Sequence, residues 1–86
     1  MAKKKSENDP FEVVAAALKC DRNALSLDSA MKRTHGWDSL GHVSVITHIE
    51  EAYDVSISDD EMMSLTTMGA IVSFHERICQ AERDNE

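Results

Sequence analysis

The chain has 86 residues and a formal net charge of -7. That length suits one small domain, which buries only about 60% of the surface its unfolded chain exposes, so a deep enzymatic pocket is not expected. The acidic balance argues against nucleic acid, whose phosphates need a basic face, and suits a protein that meets basic partner surfaces.

Residues 1–8 are polar and charged and are predicted to be a disordered tail. Residues 83–86 form a second polar tail, which leaves 9–82 as the domain. Lys3, Lys4 and Lys5 precede polar residues, so they open no secretory signal. No apolar run approaches the roughly 20 residues of a membrane span, and the expected compartment is the cytoplasm. The first helix has a sharp start: Asp9 caps it, Pro10 suits its first turn, and Glu12 stands at capping-box spacing. Phe11, Val14, Ala17 and Leu18 make its apolar stripe, and it should fray between Cys20 and Arg22.

Residues 21–38 form a long connection in which Leu25, Leu27 and Met31 are available to tuck onto a core. It ends in the turn His35-Gly36-Trp37-Asp38. The second helix is predicted from Ser39 to Tyr53, with Val43, Ile46, Ile49 and Tyr53 facing inward. Leu40, Gly41, Ser44, Thr47, His48 and Glu51 occupy its opposite face. Val55 and Ile57 lie in a short connector and can plug the bundle. Ser58 with Glu61 caps a short third helix through Met62 and Met63. Thr67 caps a fourth helix that sets Met68, Ile71, Val72, His75, Ile78 and Cys79 on one side, with Phe74 at its edge. No β-type alternation persists, so the pattern predicts an all-α chain: a four-helix bundle with a long first loop and a short third helix. Cys20 and Cys79 are too few for a disulfide framework and are read as small buried thiols.

Ser39 lies in Gly36-Trp37-Asp38-Ser39-Leu40, at the start of an amphipathic helix. Free backbone N–H groups and the positive end of the macrodipole favour an anion there. A catalytic serine needs a base within hydrogen-bond reach and a group to orient it. His35 and His42 are near in sequence, but Gly-x-Ser-x-Gly is absent and no strand leads into the turn. The hydroxyl therefore reads as an attachment point for a phosphate, and not as a nucleophile.

Asp38-Ser39-Leu40 near mid-chain is followed by a helix ending Glu50-Glu51-Ala52-Tyr53-Asp54. Then come the acidic run Ser58-Asp59-Asp60-Glu61, the pair Thr66-Thr67 and a last helix. In these features the chain resembles an acyl carrier protein over roughly residues 9–80. The resemblance implies a 4′-phosphopantetheine arm, drawn from coenzyme A and joined to Ser39 by a phosphopantetheinyl transferase. Acyl cargo rides on the arm's thiol as a thioester and is presented to acyl-transfer, acyl-ligase or synthase enzymes. The protein itself catalyses nothing, and is expected to be a monomer that needs no metal. The resemblance further gives Asp38 a role in helping the transferase engage metal-bound coenzyme A, and makes Leu40 an exposed apolar contact for partners.

Partner-facing candidates are Leu40, Gly41, Ser44, Thr47, Glu51, Asp59, Asp60 and Glu61. Typical fatty-acid carriers hold acidic residues where Gly41 and Ser44 stand here, and Lys32 and Arg33 lie in the loop before the serine. Steering toward basic fatty-acid enzymes should therefore be weaker, which points to a specialised carrier serving a dedicated pathway, with fatty acid or secondary metabolite biosynthesis both left open. Gly41 also occurs in D-alanyl carriers, so an aminoacyl or peptidyl-type carrier stays open, as does an unmodified helical interaction module. Candidates for lining an acyl cavity are Val43, Ile46, Ile57, Met62, Met63, Ala70 and Ile71, each of which core packing also explains. His42 and His48 share a helix face poorly for a metal pair. Asp59, Asp60 and Glu61 lack an EF-hand pattern and suit a helix N-terminus. His75 is expected to be a partly buried, hydrogen-bonded histidine on the core stripe. Trp37 is left open between packing on the loop and serving as an exposed partner contact.

Overall fold

Side-chain caps set where the helices begin. Asp9 accepts from the Phe11 amide at the head of α1 (Pro10–Leu18), with Pro10 in the first turn. Asp38 caps α2 (Ser39–Tyr53), and Ser58 caps α3 (Asp59–Ser64) by accepting from the Glu61 amide at 3.2 Å. The Thr67 hydroxyl accepts from the Ala70 amide at 3.0 Å in the first turn of α4 (Met68–Asp84). A one-turn 3₁₀ helix, Arg22–Ala24, follows α1. The computed structural model describes residues 7–84; of the tails expected at 1–8 and 83–86, residues 1–6 and 85–86 lie outside the described residues, while α4 runs on through Asp84. Among those described, four α-helices make an all-α bundle, and the extended pairing consists of one isolated bridge between Ala30 and Thr67.

α1 packs chiefly on α2 and also meets α4. The core joins Val14 and Ala17 of α1, Val45, Ile46, Ile49 and Tyr53 of α2, and Met68, Ile71 and Phe74 of α4. Leu25, Trp37 and Leu65 from the connections complete it. Two inward assignments are corrected. Val43 is 55% exposed, and the buried face of α2 runs through His42, Val45, Ile46, Ile49 and Tyr53. The helix is rotated from the expected stripe because His42 occupies a core position. Leu27 is also exposed, while Leu25 is the loop leucine that reaches the core. Phe11 and Leu18 are half-buried, and Pro10 and Ala15 join the buried side of α1. Cys20 and Cys79 are half-buried thiols rather than fully buried ones. Asn8, assigned from sequence to the tail, bonds into the domain: its side-chain amide donates to the Ala52 carbonyl, and its own carbonyl accepts from the Tyr53 hydroxyl, both at 2.8 Å.

The long loop is held by its own backbone. α1 ends at Lys19, which takes the left-handed conformation (φ 57°). Beyond the 3₁₀ turn, Met31 N–H donates to Thr66 O, and Met68 N–H donates to Ser29 O, both at 2.9 Å. These bonds pin the loop to the start of α4. Thr34 closes a turn on Ala30 through both its amide and its hydroxyl. Lys32 N–H then donates to Trp37 O at 2.6 Å, which brings the chain back to the head of α2.

Candidate functional site at the head of the second helix

Ser39 is the first residue of α2 and is exposed. The Asp38 carboxylate accepts from the Gly41 amide at 2.8 Å, and the Asp38 carbonyl accepts from the His42 amide at the same distance. No acceptor among the described residues takes the amides of Ser39 or Leu40. A group attached to the Ser39 hydroxyl would therefore meet two open N–H donors and the positive helix end, a setting that favours a phosphate ester. Leu40, next to it, is 83% exposed.

Beneath this exposed end lies a buried polar relay that the sequence did not reveal. Trp37 is fully buried, and its indole N–H donates to His42 Nδ1 at 3.0 Å. His42 Nε2 lies 2.8 Å from the Met62 carbonyl oxygen. The partners fix the tautomer: an indole N–H only donates and a carbonyl only accepts, so Nδ1 is bare and Nε2 carries the proton. The relay ties the loop, α2 and α3 together and satisfies the ring in the core. It also commits both nitrogens of the histidine nearest to Ser39 on the helix, leaving neither to act as a base for the hydroxyl.

Two residues expected to face partners, Gly41 and Ser44, are half-buried and also pack within the domain. A Cβ on Gly41 would stand 2.2 Å from the Gly36 carbonyl oxygen and 3.3 Å from Leu18 Cδ2. Gly41 therefore lets the turn close over the head of α2, and Gly36 makes that turn at φ 83°. Ser44 is half-buried, and its hydroxyl donates to the Ala17 carbonyl at 3.1 Å, joining α2 to α1. Gly41 thus has a packing explanation. Thr47, Glu51, Asp59, Asp60 and Glu61 are exposed. His75 is half-buried, with Cys79 Sγ 3.5 Å from its Nε2 and the Tyr53 ring beside it.

The candidate cavity residues separate into two groups. Val43, Met62 and Met63 line a groove of about 370 Å³ beside Ser39, together with Met31, Lys32 and His42. Ile46 and Ile71 are buried in the core, while Ile57 and Ala70 are half-buried against it. None of these four lines the groove. Among the described residues no group of three or more side chains could hold a metal ion, and no helix is long and apolar enough to cross a membrane.

The family described as "Phosphopantetheine attachment site" matches residues 11–74 of the chain. The chain is similar to a protein named "Acyl carrier protein" from Exiguobacterium sibiricum, at 30% identity over 88% of this chain and 96% of that protein. A protein of the same name from Sulfurovum sp. is 31% identical over 83% of this chain and 95% of its own length. Another, from Campylobacter concisus, is 31% identical over 81% of this chain and 91% of its own.

Proposed function

Because the chain belongs to the phosphopantetheine attachment family, as an acyl carrier protein, we propose that Ser39 Oγ is the atom to which its 4′-phosphopantetheine is joined. One observation carries the assignment: the hydroxyl is exposed at the first position of α2, with two helix-end amides open beside it. The group supplies a thiol on which acyl cargo is held as a thioester. The chain's own residues do the rest. Asp38 holds the helix end in shape by taking the Gly41 amide. The open amides of Ser39 and Leu40 offset the charge of a phosphodiester, and Lys32, which lines the same groove as Ser39, adds a positive charge to that side of the domain.

The commitment of His42 to Trp37 and Met62 supports a carrier that performs no catalytic step itself. Its partners would be a separate phosphopantetheinyl transferase and acyl-transfer, acyl-ligase or synthase enzymes of the cytoplasm, met by a monomer. Leu40 and the exposed carboxylates Glu51, Asp59, Asp60 and Glu61 form the face offered to them, an apolar contact edged by negative charge. Gly41 and Ser44 are half-buried, so the most exposed part of that face lies at Leu40, Val43 and α3.

The test is incubation with coenzyme A and a broad-specificity transferase, read by intact mass. The wild type gains one phosphopantetheine and Ser39→Ala gains none. An unmodified wild type beside a modified control carrier would instead indicate an interaction module that never carries an arm.

A further inference from the structure

The surface around Ser39 carries charge of two signs. Carboxylates edge it on the α3 side, whereas the loop that leads into α2 brings Lys32 and Arg33. Resting on the assignment of Ser39 as the tether, we propose that Lys32 and Arg33 form a basic docking patch for a carboxylate-rich protein surface, so that a partner reaching Ser39 presents acidic residues over the loop and basic ones over α3.

The patch is built on a closed turn. The amides of Arg33 and Thr34 both donate to Ala30 O, at 3.1 and 2.9 Å, and the Thr34 hydroxyl accepts from the Ala30 amide at 2.9 Å. The fully buried Trp37 anchors the far end, where its amide donates to Thr34 O at 3.0 Å and its carbonyl accepts from Lys32 N–H at 2.6 Å. Lys32 itself takes the left-handed conformation (φ 70°), which a lysine keeps only when its surroundings hold it there. Docking on this turn therefore has little backbone left to order, and a preformed patch loses less on binding.

The charges on the turn are uncompensated. Lys32, Arg33 and His35 are exposed. The ion pairs among the described residues join Arg22 to Asp9 and to Glu12, and none involves Lys32 or Arg33. Asp38, the carboxylate nearest to them in sequence, takes the Gly41 amide at the helix head. A chain of net charge -7 thus sets two open cations directly before its tether.

The sign changes across one groove. Lys32 lines it together with Ser39, and so do Met62 and Met63 of α3. The three residues before those methionines, Asp59, Asp60 and Glu61, are exposed carboxylates. A uniformly basic partner meets repulsion at the loop, and a uniformly acidic one meets it at α3. Opposite signs on the two sides fix the direction of docking, because the reversed pose sets like charges together. The same carboxylates disfavour a phosphate-rich surface, whether lipid or nucleic acid. Trp37, the aromatic of this loop, is buried and unavailable to a bilayer interface.

The experiment places the photo-crosslinker p-benzoylphenylalanine at His35, exposed within the same turn, in the full chain expressed in its own cells. Peptide mass mapping after irradiation identifies the partner and the segment captured, which should be rich in Asp and Glu. Titration calorimetry then measures binding of that purified partner. Lys32→Glu combined with Arg33→Glu should weaken binding about tenfold, a loss that shrinks as salt rises, and reversing the captured carboxylates to lysine should restore it. Urea unfolding of the double variant should match the wild type. If that variant does not fold, Lys32→Gln with Arg33→Gln removes the charge without reversing it and should weaken binding by a smaller factor. Ser39→Ala, which takes no arm, should keep the charge-dependent part of the binding, so an absent arm would contradict the tether and leave the patch standing. Capture of nothing, of lipid or nucleic acid, or of a segment without carboxylates would overturn the patch while leaving the tether intact. So would binding indifferent to the charge reversal.

Discussion

At the C-terminal end of α2, Tyr53 is buried, its hydroxyl donates to Asn8 O, and its ring lies against His75. At the N-terminal end Trp37 and His42 are just as buried, yet directly above them Ser39, Leu40 and Val43 stand in solvent. Both ends are fixed by hydrogen bonds between a core aromatic or imidazole ring and a neighbouring segment. Only the N-terminal end leaves apolar side chains uncovered over its fixed layer. Exposure there is not a sign of loose packing. The loop and relay hold the helix head rigid from below, which leaves its upper side bare for contacts the domain does not make with itself.

The largest effect expected is at the closely packed turn. Gly41→Ala forces a Cβ onto the Gly36 carbonyl, a backbone atom that cannot swing aside, and should destabilise the domain by about 3 kcal/mol in urea unfolding. The contrast is Gly69→Ala in α4, where the new Cβ meets Leu27 O at 3.7 Å and Thr67 Oγ1 at 3.9 Å. These are ordinary contacts, and helix propensity should make that change neutral or stabilising by about 0.5 kcal/mol. Equal losses at the two glycines would remove the close approach from the account.

Next in size is the relay. His42→Ala should cost about 2 kcal/mol, because it leaves the Trp37 indole N–H and the Met62 carbonyl without their partner. His42→Gln should recover at least half of that loss in the same unfolding assay. Identical melting of the two variants would mean that ring packing, and not the pair of hydrogen bonds, holds the helix head.

The sealed end is tested by alkali. Burial raises the Tyr53 pKa well above its ordinary value, and the Asp9 carboxylate and Cys79 add to the shift. The neutral phenol therefore binds its proton more tightly in the folded chain. That contribution is full below the unfolded value of about 10 and is lost as pH rises from there through the folded value. Tyr53→Phe should cost about 1 kcal/mol at neutral pH through the lost bond to Asn8, and should flatten the fall in stability above about pH 10. An alkaline limb of unchanged slope would assign it to other groups.

The smallest structural effect is expected at the exposed end. Leu40→Ala should change stability by less than about 0.5 kcal/mol, while slowing phosphopantetheine transfer several-fold in a mass-based time course. Stability lost in step with the rate would place Leu40 in the fold and not on the partner face.

The helix starts were legible in the sequence because capping is local: Asp9, Asp38, Ser58 and Thr67 each act within one turn of themselves. The place of Ser39 followed from the same locality, since a serine directly after a capping aspartate stands at the head of a helix. The buried face of α2 was set wrongly at its first turn. His42 counts as polar in a periodicity reading, and its two partners, Trp37 and Met62, come from different segments of the chain. The packing role of Gly41 was missed for a related reason, because nothing in the sequence shows that Gly36 folds back against the place of its missing Cβ. Local chemistry is written in neighbouring residues, whereas contacts between the loop and α2 emerge only once the chain has closed.

The most direct measurement is top-down fragmentation of the protein isolated from its own cells, with the arm and any cargo still attached. The added mass should fall on Ser39, with the neighbouring Ser29, Thr34 and Ser44 unmodified. An arm found on one of those residues, or a chain carrying none, would contradict the claim that the exposed head of α2 exists to hold a tether.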